Sequence, residues 1–387
     1  MPRFVPKYSM NLFVWPLMVR LTVGFVVLFT SAFALSAQAA DLTDAEVGRR
    51  LRLPSGFAIN IFARGLNAPR FMAVGPDGMI YVSLPSAGAV ARLREGGDGQ
   101  SARVERVLQG LDRAHGLTFY ENKLYVAGTQ RIWRVDRLSG DGSAGAATTL
   151  VSGLPDGGHS TRTILFGGDG KMYVSIGSSC NVCREKDPRR AAIVRYNRDG
   201  GGEEIFATGL RNSVGITWHP ATKELWGTDN GRDLLGDDSP PDEINIIREG
   251  KNYGWPNCYA DRVVDREFGT AEICQKSEAP AVKLQAHSAP LGLAFYTGKQ
   301  FPREYQGDLF VALHGSWNRS KKTGYKVVRV KIENGRPGQV EDFITGWLTE
   351  NETVWGRPVD LIVGKDGALY LSDDAGGVVY RISYHGR

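Results

Sequence analysis

Along most of this chain, apolar and polar positions follow one recurring unit. A short apolar run leads into a polar turn, often with Asp-Gly or Asn, and a second apolar run opens on an aromatic residue or leucine. PRFMAVGPDGMIYVS, from Pro69, is the first such unit. HGLTFYENKLYVAG (from His115), RTILFGGDGKMYVSIG (from Arg162), SVGITWHPATKELWGTD (from Ser213), PLGLAFYTGKQFPREYQGDLFVA (from Pro290) and PVDLIVGKDGALYLSDD (from Pro358) repeat it. Each reads as a β-hairpin. GAVARLR, QRIWRVD and GVVYRIS extend three of them by a further strand. Beyond the N-terminal region no segment keeps a helical period. Hairpins recurring at roughly 40–60 residues without helices between them predict an all-β fold, a six-bladed β-propeller. The spacing is widest between Asp229 and Pro290, which predicts a long insertion between blades 4 and 5.

In a propeller the first strand of each blade lines the axis, so the loops leading into those strands open at one mouth. At or just before the hairpins stand Arg70, His115, His159 with Arg162, Arg211 with Asn212, His287 and Arg357. HGSWNRS adds His314 and Arg319 after the fifth hairpin. Singly, each is an ordinary surface charge or hydrogen-bonded loop residue. Together they predict a cationic, imidazole-bearing axial pocket suited to a polyanionic small molecule. His219, in the turn HPATKE, and His385 near the C-terminus read as structural or solvated.

The stretch 209–256 is the densest in chemistry. An Arg-Asn pair leads into a strand, and Asp229, Asp233, Asp237, Asp238, Asp242 and Glu243 follow among glycines and prolines. Carboxylates and loop carbonyls are hard-oxygen ligands, appropriate to Ca²⁺. The EF-hand register is absent, and a solvated acidic loop is the plainer reading. GKNYGWP, a glycine-aromatic-proline clasp after the carboxylates, argues for a fixed loop instead.

These motifs carry a resemblance. GLRN, TDNG, DEINII and GKNYGWP, with GGHSTRTILFGGDGKMYVSIG and the closing GRPVDLIVGKDGALYLSDDAGGVVYRI, closely resemble the soluble quinoprotein sugar dehydrogenases: the glucose/sorbosone and aldose sugar dehydrogenases. The likeness spans roughly Leu51 to Ser383, and HGSWNR and GSSCNVC look nearest to the sorbosone dehydrogenase branch. It implies pyrroloquinoline quinone (PQQ) on the propeller axis with Ca²⁺. It places His159 on the catalytic base and Arg211 and Asn212 on the cofactor-binding pair, with Arg211 beside the reactive carbonyl. Gly231 and Arg232 fall where two backbone carbonyls hold the cofactor's Ca²⁺. Glu243 and Tyr253 match ligands of a second, structural Ca²⁺, Tyr253 through its carbonyl. Arg357 matches the first of two arginines that grip the cofactor carboxylates. Val359 stands where the second would be, and Leu313 or His314 stands near the place of a cofactor-binding lysine, with Arg319 as a substitute. Arg70 and Arg162 complete the expected cationic ring.

Composition narrows the setting. A net charge of +5, spread along 387 residues, leaves no footprint for nucleic acid. Arg20, the apolar run Leu21–Leu35 and the Ala37-Gln38-Ala39 site read as a cleavable secretory signal over residues 1–39. The overlong n-region points to Met10 or Met18 as the true start. Residues 40–387 are expected to form one catalytic propeller, periplasmic or secreted, without stable membrane insertion. In an oxidising compartment the four cysteines suggest pairs Cys180–Cys183 and Cys258–Cys274, with a four-cysteine zinc site as the alternative. CNVC is followed by Arg184, so it is not a haem attachment site, and the electrons are expected to leave to a cytochrome or quinone. The expected function is oxidation of an aldose, a sorbosone-like aldehyde or a related sugar. The rivals are a calcium-dependent lactonase, which needs no cationic ring, and a cofactor-free binding propeller.

Overall fold

The computed structural model describes residues 42–96, 101–138 and 144–386. The expected signal, 1–39, lies outside them. Six four-stranded antiparallel sheets follow one another, as the six hairpin units predict. Blade 1 runs from Met72–Val74 to Ala102–Leu108, blade 2 from Gly116–Tyr120 to Ala147–Ser152 and blade 3 from Ile164–Phe166 to Glu204–Thr208. Blade 4 runs from Ile216–Trp218 to Val282–Leu284, and blade 5 from Pro290–Phe295 to Arg336–Ile344. Blade 6 has its first three strands between Pro358–Val363 and Val378–Tyr384.

The hairpin grammar has a local cause. In blades 1, 3 and 6 the turn aspartates Asp77, Asp169 and Asp366 each accept the backbone N–H two residues on, closing the turn. Each also accepts the hydroxyl of the tyrosine four residues on, Tyr81, Tyr173 and Tyr370, at 2.9, 2.9 and 3.2 Å. The glycine after each aspartate has φ between +73° and +80°, a conformation other residues adopt only at a cost. The apolar runs on either side then bury in layers between neighbouring blades. Tyr125, Ile132 and Val151 of blade 2, for instance, pack with Ile164, Met172 and Val174 of blade 3.

Blade 6 takes its outer strand from the other end of the chain. Phe57–Ala63 pairs antiparallel with Val378–Tyr384, with Phe57 opposite Tyr384. Phe57 meets Phe301, Tyr305, Phe343 and Tyr384 edge-on at 4.7–5.1 Å. The ring therefore cannot open without breaking a ladder and this aromatic cluster.

The long insertion is real, but it lies inside blade 4 rather than between blades 4 and 5. Residues 248–281 separate that blade's third strand, Asp242–Ile247, from its fourth, Val282–Leu284. Because a lone three-residue strand follows the insertion, the hairpin pattern gave no sign that blade 4 resumes after the excursion. The insertion carries the Cys258–Cys274 disulfide; Cys180–Cys183 follows the second strand of blade 3. Both expected pairs form, and with all four sulfurs in disulfides the zinc alternative falls. No helix among the described residues is long and apolar enough to cross a membrane.

Candidate active site

The lead-in loops are fastened by the ends of the second strands. Ser83, Ser175, Thr228 and Ser372 accept, through their hydroxyls, the backbone N–H of Phe71, Thr163, Gly215 and Asp360. Asp229 goes further in blade 4, accepting the N–H of Arg211 at 3.0 Å and of Asn212 at 2.7 Å. Asp373 does the same for Arg357 in blade 6, at 2.7 Å. Each second strand thus fixes the backbone that presents the candidate side chains.

His159 stands on a loop, 155–161, whose carbonyls converge on two guanidinium groups. Arg162 donates to His159 and Thr161 at 2.9 and 2.7 Å and to Pro155. Arg190 donates to Gly157 and Gly177 at 2.9 and 3.2 Å and to Asp156. The imidazole Nδ1 lies 3.1 Å from the Ser178 carbonyl and 2.9 Å from the Ser178 hydroxyl. That hydroxyl gives its own proton to the Cys180 carbonyl, at 2.7 Å. Both neighbours of Nδ1 are therefore acceptors, Nδ1 carries the proton, and Nε2 keeps its lone pair. Burial, and then the charge of Arg211, push the ring's pKa down to about 4, so it is neutral at neutral pH.

Arg211 and Asn212 lie beside it. A Cβ built on Gly177 would meet both His159 Cβ and Asn212 Oδ1 within 2.8 Å, so only glycine allows the two side chains this approach. The buried Arg211 guanidinium donates to the Asn181 carbonyl and side chain, the Asn230 carbonyl and the Asp233 carboxylate, at 2.9–3.1 Å.

Across the mouth, Arg70 donates to Asp374 at 2.7 Å, and His314 Nε2 donates to the same carboxylate at 2.9 Å. These partners hold the Asp374 carboxyl well below the usual range, although burial opposes them. Arg357 donates to the His314 and Gly315 carbonyls at 3.1 and 3.3 Å. His115 is buried, its Nδ1 donating to the Arg162 carbonyl at 3.0 Å, and it packs on Phe71. His287 donates to the Gly236 carbonyl at 2.8 Å.

Two expected cofactor cations are engaged elsewhere. Arg162 is wholly buried and serves as the staple under the His159 loop. Arg319 is spent on the acidic loop, donating to the Asp237 carbonyl at 2.9 Å and the Asp238 carboxylate at 2.6 Å. Residue position relative to a strand predicts proximity to the axis, whereas the direction of the side chain depends on which carbonyls compete for it. Val359 has a structural reason: with Phe71, Val214 and Leu291 it forms a buried apolar plug across the axis. Beyond the plug, the opposite half of the channel holds a cavity of about 360 Å³, lined by Thr118, Thr217, Trp218 and Asp360 among others. It carries none of the candidate side chains of the mouth.

Beside Arg211 lies a small cavity of about 20 Å³, bordered by Asp229, Glu243, Asp265, Gly231, Arg232 and Tyr253. That is room for a single ion or water. Glu243 accepts the Ala260 N–H at 2.9 Å and an Asn245 amide hydrogen at 3.2 Å. Burial pushes Asp229 up to about 7 and Glu243 up to about 8, the latter helped by Asp229 itself. Arg232 reaches only Asp265. The cavity thus gathers more buried carboxylate than the protein's own cations neutralise, which fits a divalent cation with oxygen ligands.

The sequence pattern missed Asn181, Ser178, Arg190 and Asp374. Aligning WGTDNG of blade 4 with YLSDDA of blade 6 would have flagged Asp229 and Asp373 as one recurring device. Asn181 lies inside CNVC, a motif whose spacing speaks for its cysteines and not for the residues between them.

Fold and site define a six-bladed propeller of the quinoprotein sugar dehydrogenase type. Residues 51–385 match the family described as TrAA12-like, and the chain belongs to that family. A Borreliella burgdorferi protein, described as uncharacterized, is 32% identical over 374 residues, covering 92% of this chain and 96% of its own length. The pyrroloquinoline quinone-dependent pyranose dehydrogenase of Coprinopsis cinerea is 24% identical over 86% of this chain, which spans 54% of that enzyme's length. The PQQ domain of that enzyme, in its holo form, superposes with a TM-score of 0.74 and 24% identity, covering 86% of this chain and 97% of the domain.

Proposed function

We propose that this chain oxidises an aldose or a related sugar with PQQ and Ca²⁺, His159 acting as general base. One observation carries the proposal: Nδ1 of His159 is locked as the donor, so Nε2 holds a lone pair in a ring kept neutral by burial. A neutral, oriented imidazole is what removal of a hydroxyl proton requires, and such a base contributes roughly 10²–10⁴ in rate. PQQ, when bound, supplies the two-electron acceptor that takes the hydride from the same carbon.

The residues at the mouth suit a tricarboxylate. Arg357 and Arg70 bring positive charge to one side, and on the other Arg211 brings positive charge beside the Asn212 amide. The backbone N–H groups of Arg211 and Asn212 are committed to Asp229, and the Asn212 side-chain amide meets no hydrogen-bond partner among the described residues, leaving it available to a ligand. The carbonyls of Gly231 and Arg232 would hold the cofactor's Ca²⁺. Glu243 and the Tyr253 carbonyl would hold a structural one, and the carboxylate-rich cavity between them supports this assignment. The substrate class, export through residues 1–39, and delivery of electrons to a periplasmic cytochrome or quinone belong to the same proposal.

The test is reconstitution. Protein from Ala40 onward, stripped with chelator, is given PQQ with and without Ca²⁺, and dye reduction is followed across aldoses, sorbosone and simple alcohols. Activity that needs both additions is expected. Silence throughout, with no quinone absorbance retained by the protein, would overturn the proposal and make lactone hydrolysis the next assay.

A further inference from the structure

We infer that the Cys180–Cys183 disulfide and the Asn181 enclosed by it form a positioning clamp that sets both the tautomer of His159 and the direction of Arg211. The inference rests on the reading of His159 and Arg211 as the reacting pair.

Asn181 makes an unusual number of contacts for a residue in an irregular loop. Its carbonyl accepts from Arg211 Nε at 2.9 Å and from Trp255 Nε1 at 3.3 Å. Its side-chain oxygen accepts from Arg211 Nη2 at 3.0 Å and from the Asp233 N–H at 2.7 Å. Its amide donates to the Asp233 carbonyl at 3.1 Å. Asp233, so held, presents its carboxylate to Arg211 at 3.0 Å. Asn181 therefore meets two nitrogens of the guanidinium, Nε and Nη2, and steers the carboxylate that shares Nη2 with it.

The residue before it acts on the imidazole. The Cys180 carbonyl takes the Ser178 hydroxyl proton at 2.7 Å, which turns the oxygen lone pair toward Nδ1 of His159. If Cys180 swung away, that hydroxyl could donate to the ring instead, and the proton on Nδ1 would lose one of its two acceptors. One four-residue ring thus feeds both members of the pair.

Residues 177–183 belong to no strand, and the two cysteines are only partly buried. A segment of this kind pays conformational entropy for every bond that depends on its shape. The crosslink removes much of that freedom beforehand. Its span of 3 residues, against 16 for Cys258–Cys274, gives it the smaller share of global stabilisation. Its main effect should therefore be local, and this separates a clamp from a general brace.

The experiment compares wild type with the double variant Cys180→Ser/Cys183→Ser, with Asn181→Ala and with Asn181→Asp, which keeps the oxygen that faces Arg211. Three quantities are read: thermal midpoint, the ¹⁵N shifts of the His159 ring in cofactor-free protein, and PQQ affinity by absorbance titration. His159→Gln assigns the ring signals. The expectation is a midpoint within a few degrees of wild type for every variant. In the double-serine protein the His159 ring should pass from a single Nδ1-protonated form to a mixture. PQQ affinity should drop about tenfold in Asn181→Ala, with partial recovery in Asn181→Asp. Unchanged ring shifts and unchanged affinity in folded double-serine and Asn181→Ala proteins would overturn the clamp. The ring shifts need no cofactor, so a wild type that shows the locked tautomer yet never binds PQQ would defeat the proposed function and leave the clamp standing.

Discussion

His159 and Arg70 both stand on loops ahead of inner strands, those of blades 3 and 1, yet their side chains are used in opposite ways. On the side of blades 3 and 4, backbone carbonyls, Asn181 and Asp233 hold the supporting groups, Arg162, Arg190 and Arg211, in place. What is left facing outward is a lone pair on His159 and the amide of Asn212. On the side of blades 5, 6 and 1, Arg70, His314 and Asp374 satisfy one another, so one carboxylate takes its donors from a cation and a neutral imidazole. Counting basic residues at a mouth therefore overstates its pull on an anion. What matters is which of them still has a donor to give.

The two histidines offer the sharpest way to break the contrast. His159→Ala should lower kcat of the reconstituted enzyme by roughly 10²–10⁴ while PQQ titration stays close to wild type. His314→Ala should lower it less than tenfold, because His314 donates through Nε2 to Asp374 and offers no lone pair there. Equal losses in steady-state assays would mean that the tautomer argument picks out nothing. Next in size is Arg357→Ala. Loss of a charge-assisted contact costs about 1.5–3 kcal/mol, so PQQ affinity should fall on the order of 10- to 100-fold at 1.4 kcal/mol per factor of ten. Smaller, and opposite in sign, is Asp374→Asn. Removing that charge frees Arg70 and His314, so PQQ should bind several-fold more tightly, and a titration showing weaker binding would refute the idea that the carboxylate masks them.

The legibility of these features differs for physical reasons. Six blades were readable because each hairpin repeats a local pattern, apolar runs on either side of a polar turn, and in blades 1, 3 and 6 that turn is an Asp-Gly closed by its tyrosine. Phe57–Ala63 as the outer strand of blade 6 was not, since its partner, Val378–Tyr384, lies at the other end of the chain and no local rule links them. In the site, His159, Arg211 and Asn212 were legible as residues ahead of inner strands. Arg162 matched the same pattern and Arg319 followed the fifth hairpin, but burial and nearby oxygens turned both to other work. Val359 looked like a lost cofactor contact; in place it completes the apolar plug with Phe71, Val214 and Leu291. A side chain's neighbours across blades decide its direction, and these come from segments tens to hundreds of residues away.

The smallest expected effect concerns pH and asks why His159 is neutral. Burial is the leading cause of its lowered pKa, about 4, and Arg211 is second. A base must be unprotonated to act, so kcat/KM should hold level from pH 8 down to about 5 as far as this group is concerned. It should then fall as the pH drops through about 4. A limb near the ordinary histidine value would show that water reaches the ring and that burial does not govern it. Arg211→Gln removes the neighbouring charge but not the burial. The ring's titration, followed by NMR without cofactor, should therefore move upward yet stop short of the ordinary value. His314, lowered to about 4 mainly by burial, supplies the control, since Arg211 is not among the groups that shift it. If both rings move together in Arg211→Gln, the cause is a general loosening of the mouth; if His159 moves alone, the charge beside it has been isolated.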